Sequence, residues 1–349
     1  MRTLLLLAAV LVGLSACDSG SPADEPADPL APTDTTATPA AAGAVLFPVV
    51  QDGDHALIDS TGRIVVSLDA FNSVRPGGEG LVPARRWTNG RSEWSYFDAA
   101  GAVAFTVVAD DAYAPSGGVA RVRVDGRWGY VDGQGRFVVN PYMNDARSVA
   151  NGLARVKPTG NRWGFMEPSG AIAVEADWDD LQDLSDGRAR FRDSGVYGFI
   201  DAAGREAIEP VYADARSFSG GLAAVREGQS WFYINPQNDR VMGSTTFISA
   251  GDFAEGVAPV RTENLWEYVD TAGQRAIAPA YDEARAFSEG RAAVRIDGRW
   301  TFIDRSGTQI RAPEFDEVDD FSHGLARVEI GEKVGYVGRD GAYVWIPRD

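Results

Sequence analysis

Carboxylates are the most numerous residues in this chain that could carry out chemistry. Its 349 residues include 50 aspartates and glutamates, but only two histidines, His55 and His323, and one cysteine, Cys17. Two carboxylates at a suitable separation can hydrolyse a glycosidic bond, although 50 of them will form such pairs by chance. The chain contains no G-x-S-x-G, H-E-x-x-H, phosphate-loop or dinucleotide motif. The sequence therefore predicts no catalytic, cofactor-binding or metal-binding residue, and a carboxylate-based glycan hydrolase remains the enzymatic alternative.

Six aspartates share one spacing, because each stands three residues before a glycine. They are Asp59, Asp98, Asp132, Asp201, Asp270 and Asp304. A calcium ladder needs several oxygen ligands per site, whereas each of these segments offers a single regular carboxylate. One aspartate can instead accept hydrogen bonds from the backbone amides that follow it in a turn. We therefore expect these aspartates to stabilise turns.

Tryptophan rings could form a stacking platform for sugars. Six of the nine tryptophans recur, together with Tyr197, at successive steps of 34 or 35 residues; they are Trp94, Trp128, Trp163, Trp231, Trp266 and Trp300. Aromatic residues that repeat in this way supply the buried area between repeating units. We expect these rings to form the core, and Trp87, Trp178 and Trp345, which fall outside the series, are better candidates for exposure.

The elements that position these residues are internal repeats of 34 or 35 residues. A glycine series is in phase with the tryptophans: Gly118, Gly152, Gly187, Gly221, Gly256, Gly290 and Gly324. Nine units result, opening near Val45, Leu81, Val119, Leu153, Arg188, Leu222, Val257, Arg291 and Leu325. The segment FTVVADDAYAPSGG in the second unit is interpreted as an insertion, since the step from Gly80 to Gly118 is 38 residues.

Each unit has the pattern of a three-stranded antiparallel meander. In residues 290–313, Ala292, Val294 and Ile296 alternate along one strand, and Asp297-Gly298 is a strong hairpin signal. A second strand from Arg299 to Asp304 and a short third strand near Gln309–Arg311 follow. In the connectors between meanders, the apolar residues are three apart, as in Tyr281, Ala284 and Phe287, which predicts a helical or 3₁₀ turn.

The repeated pattern W-G-[YF]-[IV]-D-x-x-G, followed by P-x-[YF]-D-x-A-x-x-F-x-E-G, resembles the bacterial WG-repeat family over residues 45–349. The literal Trp-Gly pair occurs only at 128–129 and 163–164, which indicates that the motif serves packing. The expected fold is all-β, with units stacked in an open superhelical array; a closed β-propeller is the alternative. A connector that forms a fourth short strand would favour the propeller. His323 replaces the acidic or glycine residue of the F-S-[EG]-G segment and is expected to lie at the surface without a catalytic role.

The first 44 residues are predicted to direct and tether the protein. Residues 1–16 have a short apolar run, Leu4 to Leu14, typical of a signal peptide. The following Leu-Ser-Ala-Cys resembles the bacterial lipobox, which implies lipidation of Cys17. Residues 17–44 are rich in Pro, Ala and Asp and predict a disordered tether. The repeat array occupies residues 45–349.

The charge balance limits the possible partners. A formal net charge of −17, with no basic stripe, argues against a nucleic-acid-binding surface. We therefore expect a non-enzymatic, membrane-anchored lipoprotein of the cell envelope that binds or scaffolds a protein, a peptide or an envelope polysaccharide. The other alternative is a structural spacer without a ligand.

Overall fold

The computed structural model describes residues 45–347, except for the side chain of Pro279. These residues form nine antiparallel sheets and contain no helix. Consecutive sheets pack face to face, and the last sheet packs against the first. The described chain is therefore a closed β-propeller of nine blades, numbered here in chain order.

A complete blade has four strands in sequence order: an inner strand, a first long strand, a middle strand and an outer strand. The inner strands of blades 2 to 9 are Ser73–Val74, Asp111–Ala112, Asp145–Ala150, Asp180–Leu181, Asp214–Ala215, Ser249–Ala250, Glu283–Ala284 and Glu317–Val318. The first long strands of blades 1 to 9 are Phe47–Gln51, Val82–Thr88, Val119–Val124, Leu153–Lys157, Arg188–Asp193, Ala223–Glu227, Val257–Arg261, Ala292–Ile296 and Leu325–Ile330.

The middle and outer strands complete each sheet. The middle strands of blades 1 to 9 are Asp54–Ile58, Arg91–Phe97, Arg127–Asp132, Trp163–Met166, Val196–Asp201, Ser230–Ile234, Trp266–Asp270, Arg299–Ile303 and Lys333–Gly338. The outer strands of blades 1 to 5, 7 and 9 are Ile64–Ser67, Val103–Val108, Phe137–Met143, Ile172–Trp178, Glu206–Tyr212, Arg275–Tyr281 and Tyr343–Trp345. Blades 6 and 8 have isolated bridges in the outer position, so the third strand expected near Gln309–Arg311 is reduced to the bridge between Ile303 and Gln309.

The expected open array is not what forms, and the closed propeller is confirmed. Phe47 and Ile58 of blade 1 share one hydrophobic cluster with Leu325 and Tyr336 of blade 9. The hydroxyl of Tyr336 also donates a hydrogen bond of 2.9 Å to the carbonyl oxygen of Pro48. Within residues 45–347, closure therefore rests on side-chain packing between two separate sheets rather than on a blade that shares strands from both chain ends.

The connectors explain the closed form, because each provides the fourth short strand of the next blade. Their three-residue spacing does not mark a helical turn, and that prediction is wrong. Tyr281 ends an outer strand, Ala284 lies in an inner strand, and Phe287 lies in the loop that follows. Three short elements thus place their side chains toward the core at the same spacing as a single helical face would.

Ion pairs between successive blades show where the sheets converge. Arg75, which directly follows one inner strand, lies 2.7 Å from Asp111 of the next, and Arg285 lies 2.5 Å from Glu317. Inner strands of neighbouring blades are thus within side-chain reach of each other. The opposite edge carries exposed residues such as Val103, Phe137 and Val211. The inner strands therefore lie toward the axis of the ring.

Blade 2 has a longer hairpin than its neighbours. Its first long and middle strands have seven residues each, against five each in blade 6. The step from Gly80 to Trp94 is 14 residues, whereas the step from Gly118 to Trp128 is 10. The extra residues of the second unit therefore lie in this hairpin, and the predicted insertion at FTVVADDAYAPSGG is wrong, since that segment has ordinary length.

Candidate functional site

The repeated Trp-Gly motif is structural. Trp94, Trp128, Trp163 and Trp300 are buried, as predicted for core residues, and Trp231 and Trp266 are partly buried against the core. A Cβ atom at Gly129 would lie 2.5 Å from the carbonyl oxygen of Val139, because the outer strand bulges over this position. The glycine admits a neighbouring backbone, as a strand glycine often does. The motif therefore holds blades together and offers no ligand site.

The repeated aspartates hold turns, as expected. Asp132 accepts hydrogen bonds from the backbone amides of Gln134 and Arg136, at 2.9 and 3.0 Å. The Arg136 side chain also donates to it, and these hydrogen bonds hold the pKa of Asp132 below its ordinary value. In blade 6, Asn235 replaces the aspartate and accepts from Gln237 and Asp239 in the same way. Within residues 45–347 no cluster of three or more His, Cys, Asp or Glu side chains could hold a metal ion.

His323 belongs to a structural series that links blades. In this series an acidic side chain accepts hydrogen bonds from the backbone at the equivalent position of the next blade, 34 or 35 residues further on, or 38 and 39 across the longer second unit. Glu289 accepts from the amides of His323 and Gly324, each at 2.8 Å, and Glu255 accepts from Gly290. His323 has a φ of 54°, like the other members of the series. His323 is exposed, as predicted, and its backbone amide, rather than its imidazole, makes the link to Glu289 of the preceding blade.

The long hairpin of blade 2 creates the feature that best fits a ligand. Trp87, on this hairpin, is 66% exposed, and it lines a cavity of about 410 Å³ between blades 2 and 3. Exposed charged residues, Arg91, Asp110 and Asp125, line the same cavity. The cavity thus combines an aromatic face with hydrogen-bond donors and acceptors.

The local structure fixes this arrangement. The backbone amide of Trp87 donates to the side-chain oxygen of Asn72 at 3.1 Å, and Arg86 pairs with Glu93 across the hairpin. Asp110 accepts a 2.9 Å hydrogen bond from the Gly126 amide, which ties the cavity wall to the hairpin of blade 3. The cavity is therefore bounded by two hairpins that hydrogen bonds hold in place.

The other two tryptophans outside the series do not form such a site. Trp178 is half-buried and packs edge-on against Phe191, and Trp345 is buried in the junction between blades 9 and 1. The prediction of exposure therefore holds for Trp87 and is wrong for Trp345. The signal that could have located the site is the four-residue excess before Trp94, where no other unit has one.

Among the described residues, two carboxylates have raised pKa values, and they lie in different blades. Partial burial raises the pKa of Asp252 in blade 7, against the attraction of Arg216. Partial burial likewise raises the pKa of Asp320 in blade 9, against the attraction of Arg285. A glycosidase needs its two carboxylates on either side of one bond, and these two are separated by a full blade.

Cys17, the residue predicted to be lipidated, lies outside the described residues, as do the predicted signal peptide (1–16) and tether (17–44). Within residues 45–347 there is no helix long and apolar enough to cross a membrane.

Comparisons with known proteins concern the repeats and the fold. Seven segments match the model of the WG containing repeat: residues 94–128, 128–161, 163–196, 197–231, 246–266, 268–300 and 300–333. No curated protein matches the chain. Among solved structures, the chain is similar to a eukaryotic initiation factor at 12% identity, with a TM-score of 0.60 over 87% of this chain and 96% of that one.

Two further solved structures are more distant. Hsv2p of Kluyveromyces lactis is 9% identical, with a TM-score of 0.42 over 68% of this chain and 96% of that one. PorZ of Porphyromonas gingivalis, a surface component of the type-IX secretion system, is 12% identical, with a TM-score of 0.33 over 87% of this chain and 46% of that one. The similarity to the initiation factor concerns the fold alone.

Proposed function

Because the chain belongs to the family of proteins built from WG containing repeats, and such a propeller is a scaffold for binding, we propose that it is a lipid-anchored binding protein of the cell envelope. Its ligand is an envelope polysaccharide that occupies the cavity beneath Trp87. The observation that carries this proposal is the exposure of Trp87 on the one hairpin that extends beyond the repeat.

The chemistry of the cavity supports a sugar ligand. A pyranose ring presents apolar C–H groups on its faces and hydroxyl groups at its edges. The exposed indole of Trp87 can pack against such a face, and Asp110, Asp125 and Arg91 can bond the hydroxyl groups. The cavity volume of about 410 Å³ falls within the range of small-ligand sites. An aromatic cavity of this kind counts against a spacer without a ligand.

The ligand proposal is tested by titrating purified protein with envelope polysaccharide fragments and a glycan array. We expect Trp87→Ala to weaken binding about two- to tenfold, since an aromatic contact contributes on the order of 0.5–1.5 kcal/mol. Phe137→Ala is the matched control, because Phe137 is 44% exposed on the outer strand of blade 3. Equal affinities for the Trp87 variant and the unmodified protein would rule out this site, and reproducible glycan turnover would support the hydrolase instead.

Anchoring is tested separately on the full chain. The proposed lipid adds mass to Cys17 and holds the protein in the membrane fraction, so Cys17→Ser should release it into the soluble fraction. A mature protein that retains its signal, or that has an unmodified Cys17, would contradict the anchor without affecting the ligand site.

A further inference from the structure

Blade 1 differs from the other eight at its inner edge. Among residues 45–347, it is the one blade without an inner strand, so its first long strand, Phe47–Gln51, pairs only with Asp54–Ile58. In every other blade the inner strand covers this edge. An uncovered strand edge presents backbone groups that can pair with an added strand.

The other blades show which bonds an inner strand makes. In blade 6, the amide of Arg216 donates to the carbonyl oxygen of Ala224 at 2.8 Å, and the amide of Ala213 donates to Arg226 at 2.9 Å. A tyrosine of the preceding blade can also donate to the inner segment. The hydroxyl of Tyr233 in blade 6, for example, donates to the carbonyl of Gly251 in blade 7 at 2.8 Å. These bonds recur around the ring.

The first long strand of blade 1 directs its backbone groups toward the inner edge in the same way as the first long strand of blade 6. Its two-residue turn, Asp52-Gly53, pairs Gln51 with Asp54, so alternation along the hairpin directs the peptide groups of Pro48 and Val50 toward the open edge. Pro48 and Val50 correspond to Ala224 and Arg226 of blade 6. The described part of blade 1 offers Tyr336 no inner strand, and the Tyr336 hydroxyl donates directly to the carbonyl of Pro48.

A groove follows this edge. It consists of two adjoining cavities of about 160 and 190 Å³, and both are lined by Pro48, Pro76, Arg327 and Tyr336. Apolar side chains dominate its walls at the end near Val45, and Val50 lies at the other end. The groove therefore occupies the place that an inner strand takes in the other blades.

The charge of the groove selects among possible strands. At the junctions before blades 3 and 9, an arginine directly after one inner strand pairs with an acidic residue that lies in the next inner strand, as Arg75 does with Asp111. At the junction before blade 1, the arginine position is taken by Asp319, which lines the groove. Asp320 also lines the groove, and its one arginine, Arg327, is paired with Glu329 at 2.5 Å. A strand that filled the groove would thus match best with a basic residue in place of the usual acidic one.

The chain's own preceding segment does not have this charge. No lysine or arginine occurs between Arg2 and Arg63, and residues 18–44 contain five acidic residues. We infer that the inner edge of blade 1 is a docking site for an extended segment of a partner protein, which adds as the fourth strand and places a lysine or arginine against Asp319. This surface is separate from the Trp87 cavity, which lies between blades 2 and 3.

The probe that tests the inference comes from the repeat itself. A synthetic peptide with the sequence of residues 211–221 contains an inner strand, and a second peptide has lysine in place of Asp214. Binding is measured by calorimetry on fragment 45–349, which contains every residue of the nine hydrophobic clusters. We expect the lysine peptide to bind more tightly by up to about fivefold, as expected for one favourable surface ion pair, and to slow hydrogen exchange at the Val50 amide.

Matched variants separate the specific pair from the overall negative charge. Asp319→Asn should remove the preference for the lysine peptide, whereas Glu332→Gln, an equal change of charge elsewhere on blade 9, should preserve it. Val50→Pro removes an amide that points to the open edge, where proline is tolerated, and should weaken both peptides without changing the melting temperature.

Three results would overturn the inference. The first is a lack of binding by both peptides, and the second is an equal loss of preference in the two charge variants. The third is that the peptides bind fragment 45–349 but do not bind the longer chain that starts at residue 17 and carries Cys17→Ser. In that case the chain's own segment would occupy the groove. None of these results bears on glycan binding at Trp87.

Discussion

Gly129→Ala tests the reason for the Trp-Gly motif. Between the pairs Trp128 with Met143 and Tyr130 with Val139, three outer-strand residues lie opposite the single Gly129. A Cβ at Gly129 would meet the Val139 oxygen at 2.5 Å and the Pro141 nitrogen at 2.8 Å. Ordinary contact begins at 3.4 Å, so the bulged backbone would have to withdraw by about 0.9 Å.

Backbone atoms on the bulge cannot rotate away as a flexible side chain can. Overpacking of this kind costs about 1–3 kcal/mol, and we expect the upper half of that range because two backbone atoms are affected. For a domain of about 300 residues, whose entropy of unfolding is roughly 0.6 kcal/mol/K, this loss lowers the melting temperature by about 3–5 °C. The motif glycine therefore contributes to stability through the space that it leaves open.

The assay is thermal unfolding followed by tryptophan fluorescence, with hydrogen exchange at residues 139–143 as a local measure. Gly133→Ala is the control in the same blade, since a Cβ at Gly133 meets nothing within 4 Å. This control should change the melting temperature by less than about 1 °C.

Equal stability of Gly129→Ala and Gly133→Ala would refute this reasoning. Blade 7 shows what accommodation requires, since it keeps the bulge with Glu267 in the glycine position. That side chain is 2% exposed and is compensated by Arg275 at 2.5 Å and by the hydroxyl of Thr262 at 2.8 Å. An alanine at Gly129 would have no comparable partner.

Three further changes test other parts of the ring. Tyr336→Phe removes the hydrogen bond to Pro48 at the closing junction and should lower the free energy of unfolding by about 1 kcal/mol, measured by urea denaturation. Burial raises the pKa of Glu289, but hydrogen bonds from Arg339 and two backbone amides outweigh it and hold the pKa below its ordinary value. The stability that this carboxylate contributes is therefore present above its unfolded-state pKa and is lost as the pH falls through the folded-state pKa. Glu289→Gln should accordingly lower the melting temperature at pH 7 and leave it unchanged near pH 2, and an equal shift at both values would contradict the assignment. Trp94→Ala should cost about 3–5 kcal/mol because the ring is buried, whereas Trp87→Ala should leave the melting curve unchanged.

The number of units, their period and their turns could be predicted from the sequence because they depend on local chemistry. Asp132 needs only amides within four residues of itself, and the burial of Trp128 follows from its recurrence. Whether the array is open or closed depends on the rotation between successive sheets. That rotation depends on packing between blades, where residues more than thirty positions apart meet, as Arg75 meets Asp111.

The candidate sites could be predicted less well, because both arise where one unit departs from the others. Trp87 was recognised as outside the series, but the cavity depends on how its hairpin meets the hairpin of blade 3. The groove at Pro48 depends on an inner strand that the described residues of blade 1 do not provide. A repeat pattern reports what its copies share, so it carries little information about a surface formed by an exception.

Ring closure also limits how such a gene can change. A linear stack of repeats can gain or lose a copy at either end, since only one interface is altered. In a ring, each added or deleted copy changes the angle at every junction, including those held by Glu289 and Tyr336. Copy number is therefore a property of the whole circle, and divergence of this protein should proceed by substitution within blades and by growth of individual hairpins.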